Sequence, residues 1–390
     1  MDVNSLDDKD FMQGARTWVE INKQALRGNI AALRSLLAPE TQFSGVVKAN
    51  AYGHGLPQVV PLLLEDGVAI FCVDSVEEAK VVRQLSNEAT IIIIGYTLHD
   101  RLKDVIDLRA HQTVYDADTI RLLNEAAGKQ TRVAKIHLKV ETGTLRQGIW
   151  KQEVPGMLEI IRSCKNIELV GVSSHFADVE EAETSAYTDF QLDIFWEVCA
   201  MIQAGGFAPT YYHTASSAAT ILYPHSHGTM VRPGISIYGF WSSRQTRHSA
   251  RLMGRRIELE PVLSWKTRIA QIKDAPMGTP IGYDCTEILR RHTKIALLPV
   301  GYYDGYDRRL SSVCEVIIRG QLCRVLGRVC MNMCMVDVTE VPRAALEDEV
   351  ILIGRGGKNR MRADDLAQRA NSVHYEITTR INPLIPRVIV

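Results

Sequence analysis

Apolar residues recur along the first two thirds of the chain in two alternating rhythms. Short β-branched runs at 19–21, 68–73, 90–94, 133–140 and 167–172 read as strands, and amphipathic stretches follow them. After Asn22, a plausible N-cap, Ala25, Leu26, Ile30, Leu33 and Leu36 fall at helical spacing. Ser75 precedes a second such stretch. After Thr90 the run at 90–94 is wholly apolar, as expected of a strand buried on both faces. The run at 133–140 alternates instead, setting Lys135, His137 and Lys139 on one face. Strand and helix in this repetition predict a parallel sheet with crossover helices. Its length, to about Tyr238, suits a (β/α)8 barrel.

The rhythm changes after about Arg255. Short β-rich runs at 262–272, 294–298, 313–318, 323–326, 333–338 and 350–353 are separated by turn residues, with little helical spacing. This predicts a second, mainly antiparallel domain. The Ser- and Arg-rich segment 241–256 is the candidate linker and reads as a solvated loop. The expected division is a disordered N-terminus at 1–14, a barrel at 15–250 completed by C-terminal residues, and a β-domain at 251–390.

Composition narrows the classes. The chain has 390 residues, 46% of them hydrophobic, enough for a large core in two domains. Lys and Arg number 45, as do Asp and Glu, so no basic excess points to nucleic acid or an anionic membrane. Eight scattered cysteines without a Cys-x-x-Cys read as inert thiols in a reducing compartment. The acidic start is no secretory signal, and the apolar run at 91–94 is too short to span a bilayer. A soluble, cytoplasmic protein is expected. His225-Ser226-His227 lacks a third ligand group nearby, so no metal site is expected.

Candidate chemistry centres on Lys48, at the end of Ser44-Gly45-Val46-Val47 and before the Gly/Asn-rich turn Ala49-Asn50-Ala51-Tyr52-Gly53. The C-terminal ends of barrel strands form the active-site face, so Lys48 would enter the barrel mouth. Desolvation there would make its amine nucleophilic toward an aldehyde cofactor. The alternative from spacing alone is an ordinary strand-end lysine. Here the chain resembles the alanine racemases. The resemblance runs in order through Lys139-Val140-Glu141-Thr142-Gly143, Arg146, Ser173-Ser174-His175-Phe176-Ala177 and His213-Thr214-Ala215-Ser216-Ser217-Ala218-Ala219. It continues through Val231-Arg232-Pro233-Gly234-Ile235, Pro299-Val300-Gly301-Tyr302, Gly327-Arg328-Val329-Cys330-Met331 and Ile385-Pro386-Arg387.

The resemblance implies an enzyme that interconverts L- and D-alanine with pyridoxal 5′-phosphate (PLP), and supplies D-alanine for peptidoglycan. It implies that Lys48 holds the cofactor. Tyr52, Ser217 and the backbone N–H groups of Gly234 and Ile235 match phosphate contacts, and Arg232 matches the residue facing the pyridine nitrogen. His175 and His213 match histidines linking that arginine to a catalytic tyrosine. Tyr283, nineteen residues before Tyr302, matches that tyrosine, with Lys48 and Tyr283 as bases on opposite faces of the substrate. Arg146, Tyr302 and Met331 match substrate contacts, and Lys139 matches a lysine often carbamylated in relatives. A homodimer with shared sites is implied as well.

Two positions depart from common family residues. Asn332 replaces an Asp, and Pro383 stands where some relatives have a tyrosine that limits side-chain size. A serine or broad-specificity racemase is therefore the alternative. A decarboxylase of similar architecture would be expected to place an acidic group where Arg232 stands. A non-catalytic PLP-holding protein would need neither Tyr283 nor the C-terminal domain.

Overall fold

The computed structural model describes residues 14–180 and 184–390, which divide into two compact units. The expected disordered N-terminus lies, but for Gly14, outside them. One unit comprises Ala25–Ala51 and Val59–Glu260; the other takes residues up to Gln24, Tyr52–Gln58 and Pro261–Val390.

The first unit is the barrel. Strand β1 (Thr17–Ile21) is not part of it. Its staves are β2 (Gln42–Val46), β3 (Ile70–Val73), β4 (Thr90–Ile93), β5 (His111–Val114), β6 (Ala134–Lys139), β7 (Ile167–Ser173), β8 (Tyr211–His213) and β9 (Met230–Val231). All adjacent pairs are parallel, in the order β8-β7-β6-β5-β4-β3-β2-β9. The Thr229 N–H donates to the Tyr212 carbonyl at 3.0 Å and links β8 to the start of β9. Strands such as Ile70–Val73 are buried at every position because helices cover the outside and side chains fill the inside. The Ser75 side chain accepts from the Glu78 N–H at 3.3 Å and caps helix Val76–Leu85.

The second unit is built on an antiparallel sheet, as the turn-rich pattern predicts. β1 was expected to open the barrel, and here the structure corrects the sequence reading. It pairs antiparallel with Leu263–Arg268, Thr17 opposite Thr267, and parallel with Arg387–Ile389. The chain's C-terminal strand thus completes this sheet, not the barrel. The run expected at 262–272 divides into Leu263–Arg268 and Gln271–Ala275. The expected linker also differs: it contains helix Arg244–Leu252, in which Ser243 caps the Thr246 N–H at 2.9 Å and Thr246 and Ala250 are buried. Among the described residues, no helix is long and apolar enough to cross a membrane.

Candidate active site

Five staves adjacent around the barrel (β6, β7, β8, β9 and β2) carry candidate residues at their C-terminal ends. Lys139 ends β6, Ser174 and His175 follow β7, His213 ends β8, Arg232 follows β9, and Lys48 lies two residues past β2. In parallel barrels this rim is where side chains from separate strands converge.

The backbone after Lys48 is unusual. Ala49, Asn50, Ala51 and Tyr52 all have φ near 53°, forming one left-handed turn without a glycine. Asparagine tolerates this conformation, but alanine and tyrosine each pay ~1–2 kcal/mol for it. Such strain persists where surrounding structure over-determines it and is common at functional sites. The Asn50 N–H donates to Glu78 Oε1 at 3.1 Å, and the Ala51 N–H to the Val47 carbonyl at 2.8 Å. In the other unit, buried Arg387 donates to the Gly53 carbonyl from Nε at 3.2 Å and Nη2 at 3.1 Å. Gly53 has φ 84°, and a Cβ there would stand 1.9 Å from the Thr378 carbonyl oxygen. Replacing exposed Ala49 by Gly should therefore stabilise the protein by up to ~1 kcal/mol. Urea unfolding would read this as a raised midpoint, and a lowered midpoint would contradict the strain.

Arg232 is buried, and among the described residues its guanidinium meets no carboxylate. Nη1 donates to the His213 carbonyl at 2.6 Å and to His213 Nδ1; Nη2 donates to the carbonyls of Ser174 at 2.8 Å and Thr214 at 3.2 Å. Burial pushes its pKa down to about 10, so it stays cationic at neutral pH. Nearby, the Ser217 hydroxyl oxygen accepts from the Gly234 N–H at 2.9 Å and the Ser236 N–H at 3.2 Å. These convergent donors, with no acidic group among them, suit an anion. The Ser236 N–H and the carbonyls of Ser174 and Thr214 are additions to the residues read from the sequence.

Lys139 is buried beside positive charge. Desolvation, then Arg232 and Arg146, push its amine well below the ordinary lysine value, while Glu141 opposes them. Desolvation and the neighbouring Lys139, Arg232, Arg146 and Lys48 likewise push His175 well below the ordinary imidazole value. Arg146 sits on an exposed loop whose base is closed by Ile149 N–H to Lys139 O at 3.0 Å and Glu141 N–H to Ile149 O at 2.8 Å. Inside the loop, Glu141 accepts the Gly143 N–H at 2.5 Å. Sequence reasoning missed Gln191, on helix Ala186–Ala204. Its fully buried amide accepts from the Ala177 N–H at 2.8 Å and donates to Thr142 Oγ1 at 3.1 Å and the His175 carbonyl at 3.3 Å. It ties together the segments that follow β6 and β7, and nothing in its local sequence signals that task.

The remaining candidates, Tyr52, Tyr283, Tyr302 and Met331, belong to the other unit. The N–H groups of Tyr302 and Tyr303 donate to the carbonyls of Cys330 at 3.0 Å and Met331 at 2.9 Å, bringing Tyr302 and Met331 together. Gly301 permits this docking, because a Cβ there would lie 2.2 Å from the Cys330 carbonyl oxygen. Tyr283 is 67% exposed on a turn where Gly282, Asp284 and Cys285 all have positive φ. Asp284 is held by Arg328 at 2.9 Å. Half-buried Tyr52 packs against Tyr375, ring centroids 6.2 Å apart.

Comparison with known proteins gives this geometry a lineage. Residues 21–241 match the family model for the alanine racemase N-terminal domain, and residues 262–389 that for the C-terminal domain. The alanine racemase of Leptospira interrogans (serovar Lai) is 37% identical over 377 residues, 96% of each chain. The solved alanine racemase of Clostridium difficile 630 superposes with a TM-score of 0.91 at 30% identity, covering 97% of this chain and 96% of that one. A histidine racemase from Leuconostoc mesenteroides, at 24% identity and TM-score 0.87, shares the fold alone. Full-length similarity in sequence and in fold makes this chain a member of the alanine racemase family.

Proposed function

We propose that the protein interconverts L- and D-alanine with PLP as cofactor, Lys48 and Tyr283 moving the substrate proton on opposite faces. The observation that carries this reading is buried Arg232, a cation without a carboxylate partner among the described residues, beside the Ser217 cradle at the mouth that Lys48 enters. The residues fit the cofactor: the Ser217 hydroxyl and the backbone N–H groups of Gly234, Ile235 and Ser236 would hold its phosphate, with Tyr52 a further contact. Arg232 would face its ring nitrogen, and Lys48 would bind its aldehyde carbon. When bound, the cofactor supplies an electron sink that acidifies the substrate Cα–H. Arginine only donates hydrogen bonds, so Arg232 would favour an unprotonated ring nitrogen and a weaker sink. Weak stabilisation favours prompt return of the proton over side reactions, which suits racemisation. His175 would connect Arg232 to Tyr283; His213, expected to share that link, instead meets Arg232 through Nδ1 and His137 through Nε2, and so backs the guanidinium from inside the barrel. Arg146, Tyr302 and the Met331 N–H would receive the substrate carboxylate region.

The decisive experiment incubates the purified protein with single enantiomers of a panel of amino acids and resolves the products chirally. Alanine should racemise fastest. Asn332 and Pro383 make serine the second substrate to watch, and activity on serine without activity on alanine would overturn the reading. Borohydride should fix the cofactor to Lys48; an adduct mapped to another lysine would contradict that assignment.

Lys139 is proposed to be carbamylated. Its neutral amine attacks CO2, forming an N–C bond and releasing one proton, and the resulting anion pairs with Arg146. The support is the buried amine, which desolvation and the neighbouring Arg232 and Arg146 push well below the ordinary lysine value. Protein equilibrated with 13C-bicarbonate should show one slowly exchanging carbamate carbon that Lys139→Ala removes. Its absence from wild-type protein would rule the modification out.

A homodimer with shared sites is part of this proposal. Tyr283, Tyr302, Tyr303, Met331 and Met333, all in one unit, are each 43–67% exposed. Aromatic and Met side chains exposed in such number are typical of a surface that another chain covers. A cytoplasmic location is supported by the scattered cysteines and the acidic start of the sequence, and a role in peptidoglycan supply by the family resemblance.

A further inference from the structure

Three buried imidazoles cross the interior of the barrel. His213 ends β8, His137 lies in the middle of β6, and His111 opens β5. His213 Nε2 is 2.8 Å from His137 Nδ1, and His137 Nε2 is 3.0 Å from His111 Nδ1. At the mouth, Arg232 Nη1 meets His213 Nδ1. The neighbouring strand makes room for the middle ring: a Cβ on Gly171 would stand 2.0 Å from His137 Nδ1. The β6–β7 register also shifts between Ile136 and His137. Backbone and sequence are both arranged around this ring.

Donor chemistry gives the chain one direction. A guanidinium only donates, and a neutral imidazole has one donor and one acceptor nitrogen. His213 Nδ1 therefore accepts from Arg232, and its proton sits on Nε2. That proton is donated to His137 Nδ1, which leaves the His137 proton on Nε2 and His111 Nδ1 as the last acceptor. The three rings share the Nε2–H tautomer. His111 lines a cleft of about 470 Å³ together with Arg83, Arg109, Arg132, Lys135 and Glu88. As the first residue of its strand, it lies at the end of the barrel opposite Arg232.

We propose that His137 and His111 are positioning residues, forming with His213 a one-way hydrogen-bonded relay that orients Arg232 from the far end of the barrel. The consequence for catalysis rests on the reading of Arg232 as the group facing the cofactor ring; the relay itself does not. A proton added to His111 would go onto Nδ1 and set two donors face to face. Relieving that clash turns His137 and then His213 to the Nδ1–H form, which points an N–H at the Arg232 N–H. The surroundings oppose this step. Burial, Lys135 and Arg83 push His111 down to about 4, and its ring packs against His137 and Tyr211. His137 is depressed by burial, His111 and Arg232, and His213 by burial, Arg232, His137 and Lys139. The relay is thus locked at neutral pH and releases only as pH falls toward about 4.

The test is 1H–15N NMR of the holoenzyme labelled with 15N-histidine and 15N-arginine, in which long-range correlations report each ring's tautomer and the arginine signals report Arg232. His111, His137 and His213 should all carry Nε2–H at neutral pH, and an Nδ1–H or a charged ring among them would overturn the relay. His111→Leu removes the terminal acceptor and should shift the His137 and His213 ring resonances and the Arg232 side-chain signals. With it kcat should fall about three- to tenfold while KM changes little, as for loss of one supporting hydrogen bond. His111→Asn, whose amide oxygen can stand in for Nδ1, should restore both. Unmoved His213 and Arg232 signals in His111→Leu would refute the proposal. Moved signals with unchanged cofactor absorbance and kcat would leave the relay standing and remove Arg232 from the ring nitrogen. The wild-type tautomers decide the relay even if a variant fails to fold.

Discussion

Tyr283→Phe should lower racemisation of alanine by about 10²–10⁴, the usual contribution of one positioned acid–base group. The substitution removes only the phenolic oxygen from a side chain that is 67% exposed in its own unit. Folding and cofactor content should therefore be preserved, and the loss should appear in kcat more than in KM. The two enantiomers should respond differently, as the resemblance assigns Lys48 to D-alanine and Tyr283 to L-alanine. In deuterated water, exchange of the D-alanine α-proton without inversion should survive better than exchange of the L-alanine α-proton. Mass spectrometry of each recovered enantiomer measures this directly. Equal loss for both would leave Tyr283 without a face of its own and sink the assignment.

How much of this was legible beforehand differs from element to element, for physical reasons. Lys48 was readable because a β-branched run, Ser44 to Val47, ends in a lysine followed by glycines, and strand ends in barrels point to one rim. The alternation through 133–140 put Lys135, His137 and Lys139 on one face; His137 and Lys139 are buried, whereas Lys135 is exposed. The β6–β7 register shift does not cause this, because its extra residue, Val170, lies on β7; Lys135 is the second residue of β6, near the end of the strand remote from the rim. β1 could not be assigned correctly, because its apolar pattern would suit either sheet. Its partners Leu263–Arg268 and Arg387–Ile389 lie hundreds of residues away in the chain. The left-handed turn was invisible for a different reason. Ala49-Asn50-Ala51-Tyr52 carries no residue that demands positive φ, and its hand is a property of the folded surroundings. Helix Arg244–Leu252 was hidden by its arginines, which read as a solvated loop, although Thr246 and Ala250 fall four apart on its buried side. Of the relay, only His213 and the face that His137 shares with Lys139 were readable. His111 carries no local signal, and its place depends on β5 and β6 lying side by side with Thr113 opposite His137.

Mixing inactive Lys48→Ala and Tyr283→Ala chains should restore about a quarter of wild-type activity, the largest gain any pair of these variants can show. Lys48 belongs to the barrel unit and Tyr283 to the other. In the proposed dimer, a two-fold axis makes the arrangement isologous, so each site takes Lys48 from one chain and Tyr283 from its partner. Either variant alone forms dimers in which both sites lack a base. In a mixed dimer both defects fall in one site, and the other site is whole. Random pairing makes about half of all dimers mixed, each with one intact site of two, which gives the quarter by symmetry. The readout is alanine racemisation after co-refolding, with differently tagged chains used to count mixed dimers. Restored activity should rise in proportion to the mixed fraction. If Lys48 and Tyr283 serve a site from the same chain, every site stays defective and mixed dimers remain inactive. That outcome, with mixed dimers counted and present, would end the shared-site proposal while leaving Lys48 and Tyr283 as the two bases.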